Sequence, residues 1–250
     1  MTAHESDITG IRPDNRKPQT VQQDGIGTGG IGTGAADAPI GSRRPDPLIA
    51  TVVAHEWRQF QDTTNEGGRA SCQDNWPMFS QMRTSQFLTW PHDLLNSYED
   101  DLTQADRTGR NLVTEKYARM MESTDPTTFD RDIRPFIPRL DEGRMQVQER
   151  IIATQVGWAA DFRERYPRLG AGMRVLTTDQ DTTENTSFET YLRGELGTYS
   201  DRTLSLYARM VDSLTSRHGN LTEDTIANTV RLAGFTGLDE AEKSQGHGDR

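Results

Sequence analysis

The segment Asn65-Glu66-Gly67-Gly68-Arg69-Ala70-Ser71-Cys72-Gln73-Asp74 places a thiol, a guanidinium, two amides and two carboxylates within ten consecutive residues. Gly67 and Gly68 have no Cβ, so their backbone N–H groups can come close to an anion. Arg69 adds a planar fork that suits a carboxylate or phosphate, with Asn65 and Gln73 as amide partners. A thiol beside a guanidinium ionises more readily, which makes Cys72, with Asp74 near it, a candidate for catalysis. A nucleophile also needs a partnered base, however, and the nearest histidines, His55 and His92, stand in no recognised spacing to Cys72. An ordered capping loop around an inert cysteine would satisfy the same sequence.

A second constellation appears when the C-terminal half is laid on the N-terminal half at an offset of 109 (188 minus 79). Phe79 then meets Phe188, Trp90 meets Tyr199, Leu95 meets Leu204, Tyr98 meets Tyr207, Asn111 meets Asn220 and Leu112 meets Leu221. Such self-similarity points to an internal duplication whose halves pack about a pseudo-twofold axis. Gln86 and Glu195 are equivalent under this offset, and Arg83 and Arg193 lie near them. A carboxylate flanked by two arginines would hold a small polar or zwitterionic ligand, with Glu195 as a further catalytic candidate. The same residues on solvated helices would make ordinary surface ion pairs.

Metal binding could draw on Glu56, Glu122, Glu189 and Glu195 from four helices. Di-metal helical bundles usually supply Glu-x-x-His pairs, which this sequence lacks. His55 and Glu56 are adjacent and so point to different faces of a helix. No metal site is expected, and the sequence names no cofactor.

Helices must position these groups. Asp46-Pro47 reads as an N-cap with proline at the first helical position, followed by Leu48, Ile49, Val52, Val53, Trp57 and Phe60 at helical spacing. A polar stretch from Thr63 to Asn75 intervenes. Pro77 then opens a second helix carrying Phe79, Met82, Phe87 and Trp90, and Pro91 ends it. Leu94, Leu95, Tyr98, Leu102 and Ala105 mark a third that stops at Gly109, and Tyr117, Met120 and Met121 mark a fourth. Three prolines between Asp125 and Pro138 predict a connecting loop. A long helix follows over Asp141–Tyr166, then a loop over Thr177–Asn185. Thr186 and Glu189 have the spacing of a capping box for a helix over Ser187–Thr198, and two more cover Ser200–Arg217 and Thr222–Ala233. The fold class is therefore all-α: one domain of about eight helices over 46–238, with halves at 46–124 and 141–234 and a flexible tail over 239–250.

Residues 1–45 hold few bulky apolar side chains and are expected to be disordered. Their doubled Gly-Ile-Gly-Thr-Gly formally matches a dinucleotide-binding fingerprint, but no strand precedes it and no helix follows. Across all 250 residues the net charge is -10, which argues against a nucleic-acid surface built from clustered cations. Only Lys17, Lys116 and Lys243 carry ammonium groups. The lone cysteine excludes an intrachain disulfide, the N-terminus has no export-type apolar region, and no apolar run is long enough to span a bilayer. A cytoplasmic protein without membrane contact is expected.

The stretches Glu56-Trp57, Asn65 to Asp74, Arg83 to Trp90 (RTSQFLTW), Gly109 to Ser123 (GRNLVTEKYARMMES) and Thr186 to Ser200 (TSFETYLRGELGTYS) resemble a bacterial family of unknown function over about Leu48 to Glu240. The resemblance transfers no activity, cofactor or catalytic residue. Some relatives occur with a nucleotidyltransferase-like domain, which implies a protein partner. Two readings follow: a small-molecule enzyme or binding protein with a polar pocket between the halves, or a noncatalytic helical interaction partner.

Overall fold

Asp46 opens the described chain as expected, its carboxylate accepting from the Leu48 N–H at 2.9 Å with Pro47 at the first helical position. The computed structural model describes residues 46–63, 71–182 and 185–245, without the side chains of Ser71 and Cys72. The arm expected over 1–45 lies outside them. Within the described residues every regular element is helical, and no helix is long and apolar enough to cross a membrane.

The principal helices are α1 (Pro47–Gln61), α2 (Trp76–Phe87), α3 (His92–Arg107), α4 (Leu112–Thr124), α6 (Glu142–Arg165), α8 (Phe188–Leu196), α9 (Asp201–Ser216) and α10 (Leu221–Leu232). Three short ones raise the total to eleven among the described residues: α5 (Pro126–Thr128), α7 (Pro167–Ala171) and α11 (Leu238–Ser244). Asp125 caps α5, and Pro167 restarts the chain at the first position of α7, where its missing N–H costs nothing. The stretch expected as a tail from 239 instead forms α11. The Glu242 carboxylate accepts from the Arg168 and Leu169 N–H groups at 2.9 and 2.8 Å, neutralising the exposed donors at the start of α7. Ala241 is fully buried in a small satellite core with Phe162, Leu169, Ile226, Val230 and Phe235. The cap of α8 also shifts by one residue. Ser187, not Thr186, accepts from Thr190 N, while Glu189 accepts from Thr178 N and Arg193.

The main core is filled by Val52, Phe87, Leu94, Leu95, Leu102, Ile151, Ile152, Leu196 and Tyr207, each at most 2% exposed. It contains an aromatic cluster of Phe87, Trp90, Tyr98, Tyr199 and Tyr207 with ring centroids 5.0–6.0 Å apart, in the edge-on and tilted arrangements that ring quadrupoles favour.

Residues 109 apart hold matching places. Asn111 and Asn220 cap α4 and α10, accepting from Thr114 N and Glu223 N at 2.8 and 3.1 Å. Gly109 and His218, two residues before them, both have positive φ, 71° and 57°. The Thr89 and Thr198 hydroxyls donate to the Gln86 and Glu195 carbonyls. On the first helix of each half the offset is 99 (158 minus 59), because the Asn111 amide donates to the Gln59 carbonyl and the Asn220 amide to that of Trp158. The second connection is thus ten residues longer (109 minus 99). Helix α3 packs on α9, α2 packs on α10, and α8 packs on α4.

The α8–α4 contact depends on Gly194. A Cβ there would lie 2.8 Å from the Lys116 carbonyl oxygen and 2.9 Å from Met120 Cγ. The carbonyl belongs to a helix backbone and cannot turn aside. Gly194→Ala is therefore expected to lower stability by about 1–2 kcal/mol, the overpacking strain exceeding the gain in helix propensity. Urea denaturation checks this, and an unchanged or raised midpoint would refute it.

Candidate functional site

Three charged side chains stand in the middle of apolar helical rows. Glu56 lies between Val52 and Phe60 on α1, Arg83 between Phe79 and Phe87 on α2, and Lys116 between Leu112 and Met120 on α4. Each row faces the core at i, i+4 spacing, so packing the helices carries the charges inward together. Glu195 on α8 joins them. All four are at most 8% exposed.

Arg83 is the hub. Its Nε and Nη2 donate to the two Glu56 oxygens at 2.6 and 2.5 Å, a bidentate pairing, while Nη1 donates to Gln86 Oε1 at 2.6 Å. The guanidinium lies 3.4–3.5 Å from the Glu195 oxygens and 4.8 Å from the Phe87 ring centroid. Tyr98 donates its hydroxyl to Glu56 at 2.7 Å, and Tyr199 donates to Glu195 at 2.9 Å. Gln86 completes the Glu195 shell with an N–H at 3.0 Å. The Lys116 ammonium is 3.9 Å from Glu195 and donates to the Tyr191 hydroxyl at 2.7 Å, over the Tyr191 ring. Two cations and two carboxylates balance, as burial of ions requires.

The network fixes these charge states. Burial alone would push the Glu195 carboxyl up, but the Arg83 and Lys116 charges, with bonds from Gln86 and Tyr199, hold it down to about 2. Burial pulls the Lys116 ammonium down, and the Tyr191 oxygen and Glu195 outweigh it, leaving it above its usual value. Burial and the neighbouring carboxylates push Tyr98 and Tyr199 well up.

Beside this network is a cavity of about 180 Å³ between α2, α6, α8, α9 and α10. Its floor presents Arg83, Gln86, Glu195, Gln155 and Tyr207, and Gln155 donates to the Tyr207 hydroxyl at 3.0 Å. Met82, Phe188, Leu192, Leu221 and Ile226 form apolar walls. Thr222, Thr225, Tyr191, Met173 and Arg174 also line it; the Arg174 guanidinium lies 4.7 Å from the Tyr191 centroid. Met173 and Arg174 belong to the longer second connection, which Arg163 holds by donating to both their carbonyls.

Of the residues singled out from sequence, Arg83, Gln86, Glu195 and Glu56 come together. Arg193 is held elsewhere, bidentate to Glu149 at 2.7 Å and bonded to Glu189. Asn65 and Arg69 lie outside the described residues, as does the Cys72 side chain. Gln73 is buried and donates to the Phe60 and Thr63 carbonyls, tying down the end of α1. Asp74 is exposed, and Glu122 pairs on the surface with Arg134 at 3.1 Å. His55 bonds Glu99 and Asp106 at 2.8 and 3.0 Å. Among the described residues no three His, Cys, Asp or Glu side chains converge as metal ligands. Lys116, Gln155, Arg174, Tyr191 and the three buried tyrosines were not picked out as site residues; for Lys116 the signal was its place on an apolar row.

Residues 46–243 match a family model described as a protein of unknown function, DUF4125. No curated protein and no solved structure matches the chain.

Proposed function

The chain belongs to the DUF4125 family, and for it we propose the role of a small-molecule binding protein whose single-ligand pocket lies between two halves related by internal duplication. The observation that carries this reading is the 180 Å³ cavity with buried ionised and amide groups on its floor and apolar walls above them. Binding sites are concave, mostly apolar and furnished with a few fixed polar groups. The volume compares with the cavity of about 150 Å³ that accepts benzene in an engineered protein, so the ligand is a small polar or zwitterionic molecule built on about one ring. The matched caps, positive-φ residues and carbonyl contacts support the duplication.

The electrostatics favour binding over acid–base catalysis. A general base needs a pKa near the working pH. Glu195 is held at about 2 and Lys116 above its usual value, so each keeps its charge near neutrality. Glu195 then serves as a fixed acceptor. The alternative, a noncatalytic partner of a nucleotidyltransferase-like protein, would use an exposed apolar patch. The exposed Trp76, Leu88, Phe136, Met145 and Leu232 stand on different elements: α2, the turn after it, the 134–138 loop, α6 and α10.

A thermal-shift screen of small polar and zwitterionic compounds tests the reading, since a ligand of the native state raises its stability by RT ln(1 + [L]/Kd). Hits are expected to shift the parent protein but not Thr225→Trp, whose indole fills the cavity. A screen without hits, or hits that shift both proteins equally, would exclude this pocket.

A further inference from the structure

The residues that line the cavity have counterparts in the first half of the chain, and some of those counterparts are larger. At the 109 offset Thr225 corresponds to Lys116, Ile226 to Tyr117, Thr222 to Val113, Leu192 to Arg83 and Gln86 to Glu195. At the 99 offset of the first helices Gln155 corresponds to Glu56, and the partners agree, because the Tyr207 hydroxyl donates to Gln155 at 3.3 Å as the Tyr98 hydroxyl donates to Glu56 at 2.7 Å. In the first half the corresponding positions carry the longer side chains of Lys116 and Tyr117. Tyr117 sets its ring 6.2 Å from Phe60, and Lys116 carries its ammonium to Tyr191 and Glu195. The second half has the shorter Thr225 and Ile226, and the cavity opens beside them.

The exchange also removes charge. Glu56, Glu195, Arg83 and Lys116 are ionisable side chains, whereas their counterparts Gln155, Gln86, Leu192 and Thr225 are not. The two ions that do reach the floor are already neutralised from behind. Arg83 spends two donors on Glu56, and Glu195 is held by Tyr199, Gln86 and Lys116. An ion entering to this depth would lose its hydration without meeting an uncommitted counter-charge, at a cost of several kcal/mol. An uncharged amide or ring nitrogen would not: beyond the bonds it makes to Arg83 and Glu195 or to Tyr207, each glutamine amide keeps a second N–H and a second carbonyl lone pair, and the threonine hydroxyls can donate or accept.

We propose that the ligand presents to the floor a ring bearing an uncharged hydrogen-bonding group, an amide or an N-heterocycle, with any negative charge confined to its outer end near Arg174. This rests on the pocket reading above. It follows from setting the two halves side by side: shorter side chains stand where the cavity of about 180 Å³ opens, and the groups that replace the ionisable ones are neutral.

Four probes built on one phenyl ring and differing in charge test it: benzamide, benzylamine, benzoate and phenylalanine, each titrated by calorimetry and thermal shift. Benzamide is expected to bind the parent best, to lose binding in Thr225→Trp, and to bind about tenfold more weakly in Gln155→Leu, the loss of about one hydrogen bond. Ile226→Phe is a second plug should Thr225→Trp fold poorly. If one of the three charged probes binds more tightly than benzamide and the plug abolishes it, the neutral-end inference is overturned while the pocket reading stands. If no probe binds, or binding survives both plugs, both fall.

Discussion

Replacing Arg83 with methionine is expected to destabilise the protein by about 3–5 kcal/mol and to lower its melting temperature by on the order of 10 °C. Methionine can fill much of the space beside Phe87, so lost volume is the smaller part of the effect. The larger part is the stranding of two carboxylates. Glu56 loses both bidentate donors and keeps only Tyr98, while Glu195 keeps Lys116 at 3.9 Å with Gln86 and Tyr199. Adding Glu56→Gln to Arg83→Met removes a stranded charge and should recover part of the loss, a coupling that a double-mutant cycle measures. Calorimetry decides the matter: a change below about 1 kcal/mol in Arg83→Met, the size of an exposed pair, would mean that the guanidinium is not the hub.

Acid is expected to act through the same network. Glu195 has an ordinary value of 4.5 and a folded value of about 2. A carboxyl whose pKa is depressed by folding stabilises the native state above its unfolded pKa, and that stabilisation is lost as pH falls through the folded one. Glu195 should therefore contribute about 3 kcal/mol at neutral pH, draining away between about pH 4.5 and pH 2. Glu195→Gln cannot release this energy on protonation. Its stability should be lower at pH 7 and fall less steeply over the same interval. Urea unfolding at a series of pH values gives both slopes, and equal slopes for the two proteins would remove Glu195 from the account.

The chain's helices were legible where apolar spacing was regular and caps were strong. Asp46-Pro47 marks a boundary by local chemistry alone. Pro91, read as the end of the second helix, instead precedes α3 while α2 stops at Phe87, and Asn111 and Asn220, read as a repeated pair, cap α4 and α10. Helices α7 and α11 are too short to show an apolar period; one buries Leu169, the other Ala241, and Glu242 of α11 caps α7, a contact no local pattern displays. Of the site, the charged residues on apolar rows were visible, but their partners were not. Glu56 meets Arg83 across 27 residues and Arg83 meets Glu195 across 112, distances that only packing closes. Arg193 illustrates the reverse. Glu189, four residues before it, claims it locally, while Glu149 takes it from α6, so proximity to Glu195 in sequence was no guide.

Lys116 and Arg83 both come from the first half of the chain, and the carboxylate they share comes from the second. The first half alone would bury one cation more than it could neutralise and the second would bury a carboxylate with no counter-ion, so the two halves cannot be separately stable units. Unfolding should be all-or-none, with no state in which one half survives the other. On the duplication proposed above, a single-half ancestor could have met the same requirement only by pairing with a second copy of itself. The present chain would then be a homodimer whose subunits were joined into one polypeptide, after which the two sides were free to diverge, Lys116 on one standing where Thr225 stands on the other.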